Sequence, residues 1–322
     1  MAGAGSHVDL FAEQIEGAWN IPVLQAAAAM FNTTCRFIGG ASPDRALERQ
    51  PEGDVAAAIE GISGGFPSGY DLVLACETAR RAKNVFQYIP HARKTALIVG
   101  NELRGIEKAS LRAADEIVSI PMFGEGMESL NVGAAAAVAL WALTKSRGSK
   151  AGQRSRRKPA LPDVLFLGPT EPSEIGSTLR SAWSFGWKRA FLNDPRGVWF
   201  GRDRSTVTEG RAAARRHKNP LAVLPHPTAG LHAVEQAYLL TYDRSDAPLS
   251  RTFFPAAKDA IVIIPDAHVA ADEAVRAAEQ AARNTIPFHL DCPGDASSTR
   301  FRLVASVVLA EVANQHWRNR DR

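Results

Sequence analysis

The sequence predicts an α/β protein made of two tandem copies of one domain, each with a parallel sheet covered by helices. Three observations support this fold class. The 322 residues are enough for about two domains of ordinary size. In both halves of the chain, short apolar runs alternate with segments of helical period, which is typical of parallel βαβ units. Similar segments also recur at corresponding places in the two halves.

The predicted elements follow the same order in each half. Strands of the first half are predicted at residues 8–11, 35–38, 70–75, 95–99 and 116–120, and helices at residues 21–31, 103–115 and 131–143. Strands of the second half are predicted at residues 163–167, 190–192, 236–242, 260–264 and 287–290, and helices at residues 175–185, 271–283 and 301–312.

Two pairs of helical segments carry the evidence for a repeat. Residues 20–31 can be laid over residues 174–185 with Ile, Ala and Phe at the same offsets, and residues 129–140 correspond to residues 298–309. Two matched ends in the same order favour a duplication over chance similarity. We therefore predict a domain at residues 1–143, a basic linker at residues 144–162 and a degenerate second domain at residues 163–322.

The net charge of +4 comes from a short stretch of the predicted linker. Residues 144–158 hold seven of the 38 Lys and Arg residues and no acidic residue, and the remaining 31 are outnumbered by 34 Asp and Glu. Such a stretch is either a solvated linker or a contact for phosphates, since clustered Lys and Arg bind polyanions. Residues 177–218 are also basic, with ten Lys and Arg against three acids and with Trp and Phe interleaved. These aromatic residues could equally be core.

Several classes of protein are excluded by what the sequence lacks. No run of 18 apolar residues predicts a membrane span, and the first residues do not resemble a signal peptide. The three cysteines lie far apart, and the eight histidines form no HxxxH or HExxH pair, so we expect neither disulfides nor a metal site. No GxxxxGK[ST] phosphate-binding loop is present. A cytoplasmic location is the expectation.

Three turns of the first half carry the most specific pattern. The strand at residues 95–99 ends in Gly-Asn-Glu, the strand at residues 116–120 ends in Ile-Pro-Met, and residues 129–133 read Ser-Leu-Asn-Val-Gly. Glycine lets a ligand approach the backbone closely, and the neighbouring apolar side chains could line an adenine. Alternatively, each glycine serves a turn and Ser129 caps a helix.

With these motifs, the sequence resembles the SpoU/TrmH branch of the SPOUT RNA methyltransferases. That family has a strand ending Gly-Asn-Glu-x-x-Gly, found here at residues 100–105, and an Ile-Pro-Met…Ser-Leu-Asn-Val segment, found at residues 120–122 and 129–132. The resemblance implies S-adenosylmethionine as cofactor, a C-terminal trefoil knot in the first domain, a homodimer with the active site at its interface, and 2′-O-methylation of tRNA or rRNA. The cofactor-binding residues it implies are Ile98, Val99, Gly100, Asn101, Ile120, Met122, Ser129, Leu130 and Asn131.

The first family motif departs from the pattern in a complementary way. The family places an Arg six residues after an Asn, but the first half has Asn20 with Ala26, and the second half has Glu174 with Arg180. The second half has also lost the other motifs, and Arg302, like Arg300, would crowd its pocket. The resemblance therefore implies a monomer that acts as an internal pseudo-dimer, with the cofactor on the first half and the Arg on the second.

This hypothesis assigns catalytic roles to Arg180, Asn20 and Glu102. Because a guanidinium stays protonated, we expect Arg180 to clamp a phosphate and stabilise developing oxyanion charge. The alternative is an ion pair of Arg180 with Glu102 or Glu174. The residues predicted to bind RNA are Arg154, Arg156, Arg157, Arg202, Arg204, Arg215 and Arg216.

Two other functions stay open at this point. The enzyme could methylate a small molecule, because motif one is altered and no added RNA-binding domain is recognisable at the N-terminus. The chain could also be a non-catalytic RNA-binding relic of an enzyme. Assays of RNA methylation and of S-adenosylmethionine binding would distinguish these functions from RNA methyl transfer.

Overall fold

The computed structural model describes residues 7–39, 65–124, 129–145, 161–215, 219–226, 234–255 and 259–318. The chain forms two compact units, and neither is a continuous piece of sequence. The first unit consists of Met1–Pro121, Asn131–Ala151 and Cys292–Asp295. The second unit consists of Met122–Leu130, Gly152–Asp291 and Ala296–Arg322.

The first unit contains a six-stranded parallel sheet. Its strands are β1 (His7–Glu13), β2 (Cys35–Ile38), β3 (Leu72–Cys76), β4 (Lys83–Asn84), β5 (Lys94–Val99) and β6 (Glu116–Ser119). They lie in the order β2-β1-β5-β3-β6-β4. Its helices are α1 (Asn20–Met30), α2 (Lys108–Ala113) and α3 (Val132–Lys145), and a short 3₁₀ helix spans Val85–Gln87.

Buried apolar side chains hold this sheet together. Phe11, Val73 and Ile98 come from three adjacent strands and share one core cluster. Helix α3 is rich in Ala, and a Cβ built on Gly133 would lie 2.3 Å from Val23 Cγ1 on α1. The small residues of α3 therefore let it pack closely against α1.

The second unit contains a seven-stranded parallel sheet. Its strands are β7 (Asp163–Leu167), β8 (Arg189–Leu192), β9 (Ala222–Pro225), β10 (Val234–Thr241), β11 (Ala247–Pro248), β12 (Ala260–Pro265) and β13 (Ala282–His289). They lie in the order β11-β13-β10-β12-β7-β8-β9. Its helices are α4 (Pro172–Ser184), α5 (Arg204–Arg215), α6 (Ala271–Ala281) and α7 (Phe301–Arg318), with a 3₁₀ helix at Leu249–Arg251. No helix within the described residues is long and apolar enough to cross a membrane.

The two sheets have the same strand order. Starting from the second strand in sequence, the first sheet is β2-β1-β5-β3-β6-β4, and its counterpart in the second unit is β8-β7-β12-β10-β13-β11. Strand β9 is an additional edge strand beside β8. In both sheets the last strand of this order leads directly into a 3₁₀ helix. Six strands therefore correspond one to one, in both sequence order and pairing.

Each unit also contains a short segment from the opposite half of the chain. In the second unit, Gly124 N donates to Ser184 O over 3.0 Å at the end of α4. In the first unit, Gly294 N donates to Met30 O over 2.9 Å at the end of α1. A Cβ on either glycine would lie 2.2 Å from a backbone oxygen, so both positions need glycine. The acceptors Ser184 and Met30 hold the same position in the two aligned helices, and Gly124 and Gly294 lie five and four residues before the second pair of aligned segments.

Three helix predictions were wrong in extent. The helix predicted at residues 301–312 continues to Arg318, because residues beyond 312, such as Ala313 and His316, are also buried. The helix predicted at residues 103–115 begins only at Lys108, because residues 101–105 form a hydrogen-bonded turn. The helix predicted at residues 271–283 ends at Ala281, and β13 begins at Ala282 rather than at residue 287, because its residues pair along β10. Sequence analysis also missed β4, β9, β11 and α5.

Candidate functional site

The turn after β5 is built around Asn101. Asn101 and Gly105 exchange two backbone hydrogen bonds of 3.0 Å. The Asn101 Oδ1 atom accepts from the N–H groups of Leu103 and Arg104 at 2.8 and 3.0 Å, and its Nδ2 atom donates to Gln14 O. Both the side chain and the backbone of Asn101 therefore hold this turn together.

Two glycines of this turn have no room for a side chain. A Cβ on Gly100 would lie 2.3 Å from backbone atoms of Gly105 and Ile106. Gly105 has φ of +71°, and a Cβ there would lie 2.3 Å from Glu77 Oε2. The packing of this turn therefore requires glycine at both positions, beside the buried residues Ile98 and Val99 at the carboxyl end of β5.

Asn20, Glu102 and Asn131 form one polar network in the first unit. Asn131 Nδ2 donates to Asn20 Oδ1 over 3.0 Å, and Asn20 Nδ2 donates to Glu102 Oε1. The Glu102 carboxylate also accepts from the N–H groups of Glu16 and Gly17 at 3.3 and 3.1 Å. The network joins the start of α1, the turn after β5 and the start of α3, which indicates a positioning role for Asn20 and Glu102.

In the second unit, Arg180 binds the motif residue Ser129. Arg180 is 7 % exposed, and its Nε atom donates to Ser129 O over 3.0 Å. Its Nη2 atom donates to Ser129 Oγ over 2.6 Å, and Ser184 Oγ also donates to Ser129 O. The second-half arginine and the first-half serine, which the sequence assigns to one site, therefore lie in direct contact.

Glu174 forms a buried ion pair with Arg302. Arg302 Nη2 lies 2.6 Å and Nε 2.8 Å from Glu174 Oε1, and Arg302 N donates to Oε2 over 2.9 Å. The more exposed Arg300 approaches the same carboxylate at 3.6 Å. Glu174 thus pairs with Arg302, in place of the alternative partner Arg180 considered from the sequence.

The Glu174–Arg302 pair replaces the amide network of the first unit. In the alignment of the two halves, Glu174 corresponds to Asn20, Arg300 to Asn131, and Arg302 to Gly133. Where the first unit has a glycine and two amides, the second has a buried glutamate and a long cationic side chain. Sequence analysis expected crowding here but missed the ion pair, although opposite charges at two aligned positions were the available signal.

The remaining predicted cofactor residues fall in both units. In the first unit, Ile120 follows β6 and is buried. In the second unit, Leu130 is buried and Met122 half-buried.

The predicted RNA-binding residues are only partly described. Arg202 and Arg204 are exposed near the start of α5. Arg154, Arg156, Arg157 and Arg216 lie outside the described residues, and so does the side chain of Arg215, whose backbone ends α5.

Two of the cysteines are poor nucleophiles. Burial raises the pKa of the Cys35 thiol to about 12. Burial, with a contribution from the nearby Glu77 carboxylate, raises the pKa of Cys76 to about 12 as well. Both thiols are therefore protonated at neutral pH. Within the described ranges, no three His, Cys, Asp or Glu side chains are grouped as metal ligands would be.

The region that carries these motifs is similar to known proteins. Residues 66–141 match the SpoU rRNA Methylase family. The chain is 37 % identical over 71 residues to a tRNA (guanosine(18)-2′-O)-methyltransferase of Aquifex aeolicus, which is 22 % of this chain and 33 % of that protein. It is 36 % identical over 88 residues to the enzyme of that name from Escherichia coli, which is 26 % of this chain and 38 % of that protein. It is 43 % identical over 58 residues to a 23S rRNA (guanosine(2553)-2′-O)-methyltransferase of Bacillus subtilis, covering 18 % and 23 %.

Solved structures include similar chains at low identity. The TrmH/SpoU tRNA modifying enzyme of A. aeolicus is 20 % identical with a TM-score of 0.36, covering 45 % of this chain and 78 % of that one. The SpoU methyltransferase AviRb from Streptomyces viridochromogenes, solved with the cofactor AdoMet, is 20 % identical with a TM-score of 0.35, covering 46 % and 60 %.

The family match covers part of the chain. The matched residues 66–141 include β5, the turn after it, β6 and most of α3. The chain matches only about a quarter to two fifths of the length of these curated relatives. Asn20 and Arg180 lie outside the matched family region.

Proposed function

We propose that this protein is an RNA 2′-O-methyltransferase acting on tRNA or rRNA, with one composite active site per chain. The SpoU methylase segment and the RNA-modifying relatives support the reaction type. The observation that carries the composite site is the contact between Arg180 and Ser129, which joins the second-half arginine to the first-half cofactor motif.

The cofactor is S-adenosylmethionine, which supplies an activated methyl group when bound. The first-unit residues fit it, because Gly100 and Gly105 give the turn after β5 a cradle of backbone without side chains, and apolar Ile120 follows β6. The second unit does not fit, because the positions aligned with Asn20 and Gly133 hold the buried Glu174–Arg302 ion pair, and Asp266 in place of a glycine follows β12. Selective loss of the second pocket supports one cofactor per chain.

Arg180 is the proposed catalytic residue. Its guanidinium stays protonated at any physiological pH, so it can donate hydrogen bonds but is a poor base. Held by Ser129, it is positioned to bind a phosphate and to stabilise charge that develops on an attacking ribose hydroxyl. In this proposal Asn20 and Glu102 position the loops rather than touch the substrate.

The matching halves support an internal pseudo-dimer. The shared strand order and the equivalent contacts of Gly124 and Gly294 are those expected of two domains that exchange a segment in the same way. We therefore propose two tandem SPOUT domains at residues 1–143 and 163–322, joined by the linker at residues 144–162. The first would hold the knot, the second would be its degenerate copy, and the chain would act as a monomer. A cytoplasmic location stays a prediction.

Replacing Gly100 by alanine tests the backbone cradle. The new Cβ would collide with Gly105 and Ile106, so we expect the turn to shift and the first unit to lose about 1–3 kcal/mol of stability. Affinity for S-adenosylmethionine should fall with it, as measured by titration calorimetry. Gly65→Ala is the matched control, because a Cβ there meets nothing within 4 Å. Unchanged cofactor affinity in Gly100→Ala would contradict the assignment.

Methyl transfer to RNA tests the proposed function directly. The full chain is incubated with labelled S-adenosylmethionine and total tRNA or rRNA, and the RNA is digested to nucleosides for mass spectrometry. We expect a 2′-O-methylated nucleoside that depends on the protein. Label found only in small molecules would assign a different acceptor, and cofactor binding with no acceptor at all would favour a non-catalytic RNA-binding protein.

A further inference from the structure

A cavity of about 290 Å³ opens in the second unit between α4, α5 and residues 219–223. Its lining combines a few polar groups with apolar walls: Trp199, Arg211 and Asn219 lie beside Leu179, Leu221 and two smaller side chains. The volume is near the lower end of the roughly 300–1,000 Å³ usual for small-molecule sites, which suits a single ring system. The family-matched region ends at residue 141 and does not include this cavity.

The aromatic wall of the cavity is held in place. The Asp194 carboxylate accepts the N–H groups of Val198, Trp199 and Phe200, each at 2.8 Å, and so fixes the loop that carries Trp199. The Arg211 guanidinium lies 5.7 Å from the centroid of the Trp199 ring and donates to Trp199 O over 3.3 Å. A flat indole and a flat cation are thus preorganised against each other.

The polar groups of the cavity have hydrogen-bond donors and acceptors available for a ligand. Arg211 has five N–H donors, and no carboxylate among the described residues lies within ion-pair distance of it. The Asn219 amide donates to Leu179 O and accepts from Leu221 N, which leaves one N–H and one lone pair. A planar aromatic ligand with hydrogen-bonding edges and no positive charge matches this set of groups.

Helix α4 contributes to both the cavity and the proposed catalytic site. Leu179 lines the cavity, and the following residue on α4 is Arg180, whose side chain binds Ser129. Exposed Arg202 precedes α5 and exposed Arg204 is its first residue, where they can contact a phosphate backbone. An RNA strand whose ribose reaches Arg180 could therefore place a neighbouring base in the cavity.

We propose that this cavity binds the nucleobase of an unpaired RNA nucleotide adjacent to the methylated one. Unpaired bases are recognised by stacking on aromatic and guanidinium planes and by hydrogen bonds to their edges, and Trp199, Arg211 and Asn219 offer both. The cavity would select the sequence or structure around the target nucleotide. This proposal rests on the RNA methyltransferase function proposed above.

The test compares two single-stranded RNAs of about twelve nucleotides. One carries a central 2-aminopurine, whose fluorescence reports stacking, and the other is abasic at that position. For the full chain, we expect the 2-aminopurine RNA to bind about tenfold more tightly than the abasic RNA, because stacking of one base contributes about that much. Trp199→Ala should abolish this difference, and Trp199→Phe, which keeps an aromatic ring, should retain most of it.

Two further variants separate base binding from phosphate binding and from misfolding. Arg204→Ala should weaken the binding of both RNAs by the same factor, because an exposed arginine contacts phosphate and makes no contact that depends on the base. Arg211→Lys keeps the charge but loses the planar fork, and should reduce the difference between the two RNAs even if Trp199→Ala fails to fold. Equal affinity of the native chain for both RNAs would overturn the proposal. If the 2-aminopurine RNA binds about tenfold more tightly and methyl transfer is absent, the cavity binds a base and the proposed function has failed.

Discussion

Replacing Arg180 by alanine is expected to lower kcat for RNA methylation by about 10²–10³-fold and to weaken the binding of S-adenosylmethionine much less. The rate should fall because the variant loses the cation that stabilises charge on the ribose oxygen. Cofactor affinity should fall only modestly, because Ser129 loses its hydrogen bonds to Arg180 while the proposed cradle at the end of β5 belongs to the first unit. Single-turnover methyl transfer measures the first effect, and titration calorimetry the second.

Arg189→Ala is the matched control for this substitution. Arg189 lies a short distance along the chain from Arg180 and forms an exposed ion pair with Asp163, so its loss should change little. Arg180→Lys keeps the charge without the planar fork and should recover only part of the rate. If Arg180→Ala methylates RNA at the native rate, the composite site is wrong.

Replacing Glu174 by alanine is expected to destabilise the second unit by about 3–5 kcal/mol. The substitution leaves Arg302, which is 6 % exposed, as a buried charge without its partner. For a unit of this size the loss corresponds to a fall in Tm of about 6–20 °C. Circular dichroism during heating or denaturant titration measures it.

A double variant separates the charge from the packing. Glu174→Gln combined with Arg302→Met removes both charges and keeps an acceptor for the backbone N–H of Arg302. Because an apolar replacement of a buried ion pair is often close to neutral, most of the lost stability should return. A native melting temperature for Glu174→Ala alone would show that the pair does not hold this unit together.

Six strands were predicted to within one residue at each end, namely β2, β5, β6, β7, β8 and β12. Three of them, β5, β7 and β12, are nearly continuous apolar runs, which is typical of strands buried on both faces. Strand β13 was predicted too short, since its first residues follow α6 without a break and become a strand only by pairing with β10. Helix α2 was predicted too long, since the Asn101 side chain and Gly105 stop helix formation in a stretch of otherwise helical composition.

The residues of the site that belong to sequence motifs were predictable, whereas the parts of the site formed by tertiary contacts were not. Gly100, Ser129 and Asn131 stand out in the sequence because they belong to recognisable motifs. The alignment of the two halves located Arg180 but could not give its contact with Ser129, which depends on the segment at residues 122–130 joining the second unit. The cavity beside Trp199 also could not be predicted, because α5 and the neighbouring strand β9 were themselves not predicted.

The number of S-adenosylmethionine molecules bound per chain tests the central claim most directly. Titration calorimetry on the full chain should give one, because the first half keeps the cofactor motifs and the Glu174–Arg302 pair occupies the corresponding place in the second. Two molecules bound per chain would show that the second half has also kept a cofactor site. No binding at all would contradict the assignment of the cofactor site.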